Sequence, residues 1–332
     1  MYPFEISTQQ IVWKVNILIR KVYFTKIYRY NQGDRCLLLE VLKMNLVFSF
    51  DEGYANTFRV LMQSIFQNHS SKHFTVYVLH DEMPENVLLE IQEDMDSYQY
   101  SFRPINCRNY LQQSESFRIN RYYTVEMYLW LYAPDLLPET VERALYLDPD
   151  IINLNSIEEF YAQDFNNHLF IAMDYKIKNR LIQPINNLRL GTRAAENYFN
   201  SGVVLMNIAK LREERVTKEI TDAVIENKAV LILPDQDIFN HLYHGEIKEA
   251  DWEIYNVDHR LYQLFHLINP DRYNLNWVEE EVVFIHYTGK HKPWIERENY
   301  RYDLGVYYFK YESLLTNNYK ERESEQFNDR AF

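Results

Sequence analysis

Between residues 44 and 285 the chain switches repeatedly between the two periods that regular structure imposes on apolar positions. Asn45-Leu46-Val47-Phe48-Ser49-Phe50 is an apolar run of strand length, and over 55–68 Phe58, Leu61, Met62, Ile65 and Phe66 recur at helical spacing. Residues 74–79 read as a second strand, and Pro84 opens a helix on which Val87, Leu88 and Ile91 share a face. A polar loop and a tyrosine-rich helix over about 122–133 lead to a third apolar strand, Ala144-Leu145-Tyr146-Leu147. Further apolar segments at 169–173, 203–206 and 282–285 accompany a helix over 208–226. The alternation predicts an α/β domain in which a parallel sheet carries helices on both faces and binds ligands beyond the carboxyl ends of its strands. No repeat and no Pro-, Gly- or Ser-rich linker interrupts it, so one domain is expected over 44–295. The tyrosine-rich tail from 296 either closes that domain as a helix or presents a docking surface.

Composition narrows the function classes. A chain of 332 residues with 47% hydrophobic content can bury a sizeable core. The net charge of −13 divides into +4 over residues 1–43 and −17 over 44–332, and so acidic a body repels nucleic acid. Two cysteines, Cys36 and Cys107, are too few for a disulfide scaffold or a cysteine zinc site, and no apolar run has membrane-spanning length. A cytoplasmic protein is expected. The basic, aromatic segment 1–43 has three readings: an amphipathic element lying on the anionic inner face of a membrane, an accessory element packed on the core, or an extension ahead of a true start at Met44. Seven glycines, no two of them two apart, leave no dinucleotide or P-loop fingerprint.

Chemistry concentrates in two stretches. The strand at Leu145 stops at Asp148-Pro149-Asp150, and residues two apart in an extended backbone point to the same side. Two hard oxygen ligands there suit Mg²⁺ or Mn²⁺ with positions left for a substrate's phosphates. The plainer alternative is turn chemistry, and the spacing itself is common in this chain, recurring at Asp94/Asp96 and Asp235/Asp237. The second stretch, His286-Tyr287-Thr288-Gly289-Lys290-His291-Lys292-Pro293-Trp294, follows an apolar strand. It offers an imidazole for a metal, a glycine that lets backbone approach a phosphate, and a cation in Lys292. A core histidine followed by a turn is the bland reading of His286 taken alone.

From Met44 to Trp294 the sequence resembles the retaining glycosyltransferases of family 8, which include bacterial lipopolysaccharide galactosyltransferases and glycogenin. The resemblance is carried by Met44 to Phe48 with Asp51 and Tyr54, by Leu145 to Asp150, by Tyr198-Phe199-Asn200-Ser201-Gly202-Val203, by Asp235-Gln236-Asp237, and by His286 to Trp294. It implies the GT-A fold, a mixed, mostly parallel sheet with a nucleotide-binding amino-terminal half. It also implies roles: Asp148, Asp150 and His286 as ligands of Mn²⁺ or Mg²⁺; Asp51 and Tyr54 at uracil and ribose; Gly289 and Lys292 at the diphosphate. Asn200, Asp174 and Asp235 would meet the donor sugar, with Gln236 on the reacting face of the anomeric carbon. The implied activity moves glucose or galactose from a UDP-sugar to a glycan, glycoprotein or lipid-linked acceptor. Gln236 is an amide and a poor nucleophile, which favours front-face attack over a covalent intermediate on Asp174 or Asp235.

Two positions depart from the family. Trp130 stands where many relatives have arginine, and Gly53 where they often have a polar amide. Trp130 supports an alternative in which the chain keeps a nucleotide-sugar site but serves as a silent partner of another transferase. A haloacid-dehalogenase-type phosphatase also places Asp-x-Asp after an apolar strand, but has Thr or Val where Ile152 stands here.

Overall fold

The computed structural model describes residues 43–329 apart from 71, 114–125, 193–194, 215–216 and 228–229. Segment 1–42, with its three readings, lies outside the described residues, as does the start of the tyrosine-rich helix.

The first half builds β1 (Met44–Ser49), α1 (Ala55–Asn68), β2 (Phe74–His80), α2 (Glu85–Ser97) and β3 (Ser101–Asn106), followed by β4 (Arg143–Leu147) and β5 (Ile151–Asn153). The second half supplies β6 (Phe170–Asp174), α3 (Lys176–Leu190), β7 (Phe199–Asn207), α4 (Ile208–Glu214), α5 (Thr217–Asn227) and α6 (Pro234–Tyr243). Then come β8 (Ile247–Ala250), β9 (Val257–Asp258), α7 (His259–Ile268), β10 (Phe284–His286) and α8 (Gly305–Asp329). The helix expected over 208–226 is thus described as two.

The seven-stranded sheet has the order β3-β2-β1-β4-β7-β6-β8. Pairings β1/β2, β2/β3, β1/β4 and β6/β8 are parallel, whereas β7 runs antiparallel to both β4 and β6. The parallel sheet expected from alternation is therefore corrected at β7, in line with the mixed, mostly parallel sheet of the GT-A fold. The connection from β6 to β7 contains α3 and is long enough for either direction, and an apolar run does not encode its own direction, so periodicity does not distinguish the two pairings.

Both faces of the sheet are covered at its centre, so β1, β4, β6 and β7 are apolar through their middles and side-chain alternation sorts them into two cores. Leu46, Leu145, Leu147, Ile171, Met173, Val203 and Leu205 enter one, while Val47, Ala144, Tyr146, Phe170, Ala172, Val204 and Met206 enter the other. A third core lies under the small sheet β5-β10-β9 and receives Tyr307, Tyr308, Tyr311 and Leu315 of α8. Of the two readings of the tail, the closing helix is the one seen: Tyr308 packs on Trp294 at 5.3 Å, and Asn68 of α1 donates to the Tyr311 hydroxyl at 3.1 Å.

Candidate active site

Three components meet at the carboxyl ends of β1 and β4. β1 runs into Asp51 and β4 into Asp148. Because β7 is reversed, its amino-terminal residues Asn200, Ser201 and Gly202 reach those same ends: Leu147 pairs with Val203, and the Asp148 amide donates to the Gly202 carbonyl at 2.8 Å. The small sheet brings the third component, since antiparallel pairing of β10 with β5 sets His286 opposite Ile151, next to Asp150. His286 is the last residue of its strand, where a strand ending at 285 was expected.

Asp148, Asp150 and His286 each present one ligand atom within 4.8 Å of the others. His286 Nε2 lies 3.1 Å from Asp150 Oδ1 and 3.5 Å from Asp148 Oδ2. On its other side Nδ1 is 3.0 Å from Asn256 Oδ1, while Asn256 Nδ2 donates to Asn200 Oδ1 at 2.8 Å. Asn256 therefore presents its carbonyl oxygen to the ring, which places the proton on Nδ1 and a lone pair on Nε2. A lone pair facing two carboxylates is an arrangement of acceptors that needs a cation between them. Asp150 Oδ1 is buried and takes no hydrogen bond from the described residues. A side chain at Gly202 would fill the same space, because its Cβ would stand 2.2 Å from His286 Cε1 and 2.7 Å from Asp148 Oδ2. The donor set and the space fit a divalent metal such as Mg²⁺ or Mn²⁺.

The electrostatics divide the two acids. Burial, followed by repulsion from Asp150, pushes the Asp148 carboxyl up to about 7. Burial opposes ionisation of Asp150 as well, yet the Lys292 ammonium holds that carboxyl well below its ordinary range. Lys292 is itself buried, donating to Asp150 Oδ2 and, at 2.5 Å, to the Tyr287 carbonyl. The Tyr146 hydroxyl donates to Asp148 Oδ1 at 2.7 Å, and its ring stacks on Trp130 at 4.9 Å.

These groups border a cavity of about 630 Å³. Asp51, Tyr54, Asn200, Asp235, Gln236 and Gly289 all line it with Asp148, Asp150 and His286. Lys292 sits behind Asp150 instead, and Asp174, buried at the end of β6, is also not among the lining residues, whereas its neighbour Tyr175 is. Gln236, in the first turn of α6, accepts from Asn200 Nδ2 at 2.9 Å. A directed relay of donors thus runs from His286 through Asn256 and Asn200 to Gln236. Burial raises the Asp235 carboxyl, with the Ser201 hydroxyl and the Trp130 indole among the groups holding it down. The aromatic ring at the departing position 130 is not a lining residue; it is buried behind the wall, stacked on Tyr146. A side chain at Gly53 would press on Asp51, since its Cβ would lie 3.1 Å from Asp51 Oδ1. The other Asp-x-Asp pairs are structural at one acid each: Asp94 is ion-paired with Arg59 and Asp237 with Arg189.

Asn256, Tyr146, Tyr175 and Arg260 were not singled out from sequence. Of these only Tyr146 carried a signal, two residues before Asp148 on the same strand face.

Superposition on solved structures gives the class. The galactosyltransferase LgtC, solved with donor and acceptor sugar analogues, aligns with a TM-score of 0.69 at 23% identity over 82% of this chain and 96% of that one. The fold is GT-A, that of glycosyltransferases. More narrowly, the pattern of glycosyl transferase family 8 matches residues 45–298, and the chain belongs to that family of sugar-transferring enzymes. A lipopolysaccharide 1,2-glucosyltransferase of Escherichia coli is 27% identical over 269 residues, spanning 77% of this chain and 74% of the relative. A lipopolysaccharide 1,3-galactosyltransferase of Salmonella typhimurium is 24% identical, over 76% of this chain and 73% of its own length. Among the described residues, no helix is long and apolar enough to cross a membrane.

Proposed function

We propose that this chain is a retaining hexosyltransferase that moves glucose or galactose from a UDP-sugar to a glycan, glycoprotein or lipid-linked acceptor. The observation that carries the reading is the trio of acceptors, Asp148, Asp150 and His286 Nε2, facing one another in the cavity wall. Mn²⁺ or Mg²⁺ held there supplies Lewis-acid stabilisation of charge on a departing diphosphate. Asp51 and Tyr54, both lining the cavity, receive uracil and ribose. Gly289 and Lys292 serve the diphosphate, the latter through its charge from behind Asp150. Asn200, Asp235 and Asp174 hold the donor sugar, and the relay from His286 fixes the orientation of Gln236 on its reacting face. An amide so held orients and does not attack, so the acceptor hydroxyl enters from the side on which UDP leaves. The acidic body and the two cysteines favour the cytoplasm, with segment 1–43 as a peripheral membrane contact.

The test is turnover of UDP-glucose and UDP-galactose by the purified chain with and without Mn²⁺. Release of UDP that EDTA abolishes is expected. Metal-independent turnover would remove the metal from the reading, and binding of UDP with no turnover of either sugar would favour the silent partner instead.

A further inference from the structure

Five carboxylates line the cavity, those of Asp51, Glu126, Asp148, Asp150 and Asp235, and Arg260 is the single Lys or Arg among the described lining residues. Its guanidinium is held along one edge. Asp258, fully buried, accepts from Arg260 Nε at 3.1 Å and from Nη2 at 2.7 Å, and Nη2 also donates to the Thr288 hydroxyl at 2.5 Å. Asp258 is further occupied by the Thr288 hydroxyl at 2.6 Å and by the amide of Arg260 at 2.8 Å, so the acid that caps α7 also aims the side chain. Nη1 meets no hydrogen-bonding acceptor among the described residues. It lies instead over Gly289, where a Cβ would stand only 2.7 Å from it. Gly289 has φ +79°, a second reason for glycine, but the room it leaves is filled by a cation. Three residues of chain separate Gly289 from His286, a reach of at most about 11 Å. The Tyr175 phenol feels the charges of both Arg260 and the Asp148/Asp150 pair, so all share one space.

We propose that Arg260 is a further donor-binding residue, its Nη1 donating to an oxygen of the nucleotide diphosphate on the side of the cavity formed by Thr288 and Gly289. The inference rests on the UDP-sugar reading above. Lys292 spends its donors on Asp150 and Tyr287, whereas Arg260 lines the cavity, anchored through Asp258 and Thr288, with Nη1 over Gly289. A planar fork so anchored loses little freedom on binding an oxyanion.

The affinities of UDP and of uridine, measured at fixed Mn²⁺ on the full chain, its Arg260→Gln variant and its Arg260→Lys variant, decide it. Arg260→Gln should weaken UDP by roughly tenfold or more and leave uridine unchanged, with Arg260→Lys between. UDP bound as tightly by Arg260→Gln as by the parent overturns the proposal. Equal weakening of UDP and uridine also overturns it, because Arg260 would then only brace the Thr288 loop. So does an unchanged UDP affinity with a raised acceptor KM, which would place Arg260 on the acceptor. A parent chain that binds neither UDP nor uridine sinks the nucleotide reading itself, and Arg260's role with it.

Discussion

Gly202 is in an extended strand, so its backbone is open to any residue, and only the 2.2 Å approach of His286 demands glycine there. Gly202→Ala should therefore cost about 1–3 kcal/mol of overpacking, leaving the fold formed, while abolishing metal binding and metal-dependent turnover. Bound Mn²⁺ followed by electron paramagnetic resonance checks this, and a variant that binds the ion normally would disprove the crowding argument. Asn256 is fully buried and holds the His286 tautomer. Orienting groups of this kind typically contribute 10–100-fold to metal affinity, so Asn256→Ala should weaken Mn²⁺ by about that factor. Lys292 differs in sign. It and a metal compete for the Asp150 carboxylate, so Lys292→Ala should lower kcat on the order of 100-fold without weakening Mn²⁺. Asp148 and His286 were legible as candidate ligands because apolar strands deliver them. Asn256 was not, because one asparagine in a mixed segment carries no pattern.

At the scale of elements, His259 opens α7 and joins it to two other segments. Its Nε2 faces the Thr288 carbonyl at 3.1 Å, and its Nδ1 the Tyr300 hydroxyl at 2.6 Å. Burial pushes the imidazole down to about 4. A histidine held neutral in the fold stabilises it fully above the unfolded value of 6.5, and that contribution is lost as pH falls from there toward 4. The loss should approach ~3 kcal/mol at pH 4, seen as a steeper fall of denaturant midpoints in the parent than in His259→Gln. Equal pH slopes would refute it. The closing helix α8 buries Tyr307, Tyr308, Tyr311 and Leu315. Each contributes about 1.5–3 kcal/mol, together comparable with the stability of a whole domain, so a chain ending at 303 should not fold cooperatively by calorimetry. Tyrosines among charges left this helix ambiguous in sequence, since the same composition suits an exposed docking face.

For the whole molecule, the family match begins at residue 45 and the first described strand at Met44. A chain starting at Met44 should fold and turn over the donor as fast as the full chain, while only the full chain co-sediments with anionic vesicles, more weakly as salt rises. Lost soluble expression of the shorter chain would show that segment 1–43 belongs to the core. By itself the sequence determined the α/β class, six of the ten described strands, the helices α1 and α2, the two acids at the end of β4 and the histidine after the apolar run 282–285, because each is written in local periodicity. Tertiary structure alone decided that β7 is reversed, since an apolar run reads the same in either direction. That reversal sets Asn200 and Gly202 against Asp148, aligns the relay from His286 to Gln236, and turns residues more than a hundred positions apart into one site. Pairing of β10 with β5 and the capping of α7 by Asp258 likewise put His286 beside Asp150 and Arg260 over Gly289. Such contacts arise from chain crossings, which no local period encodes.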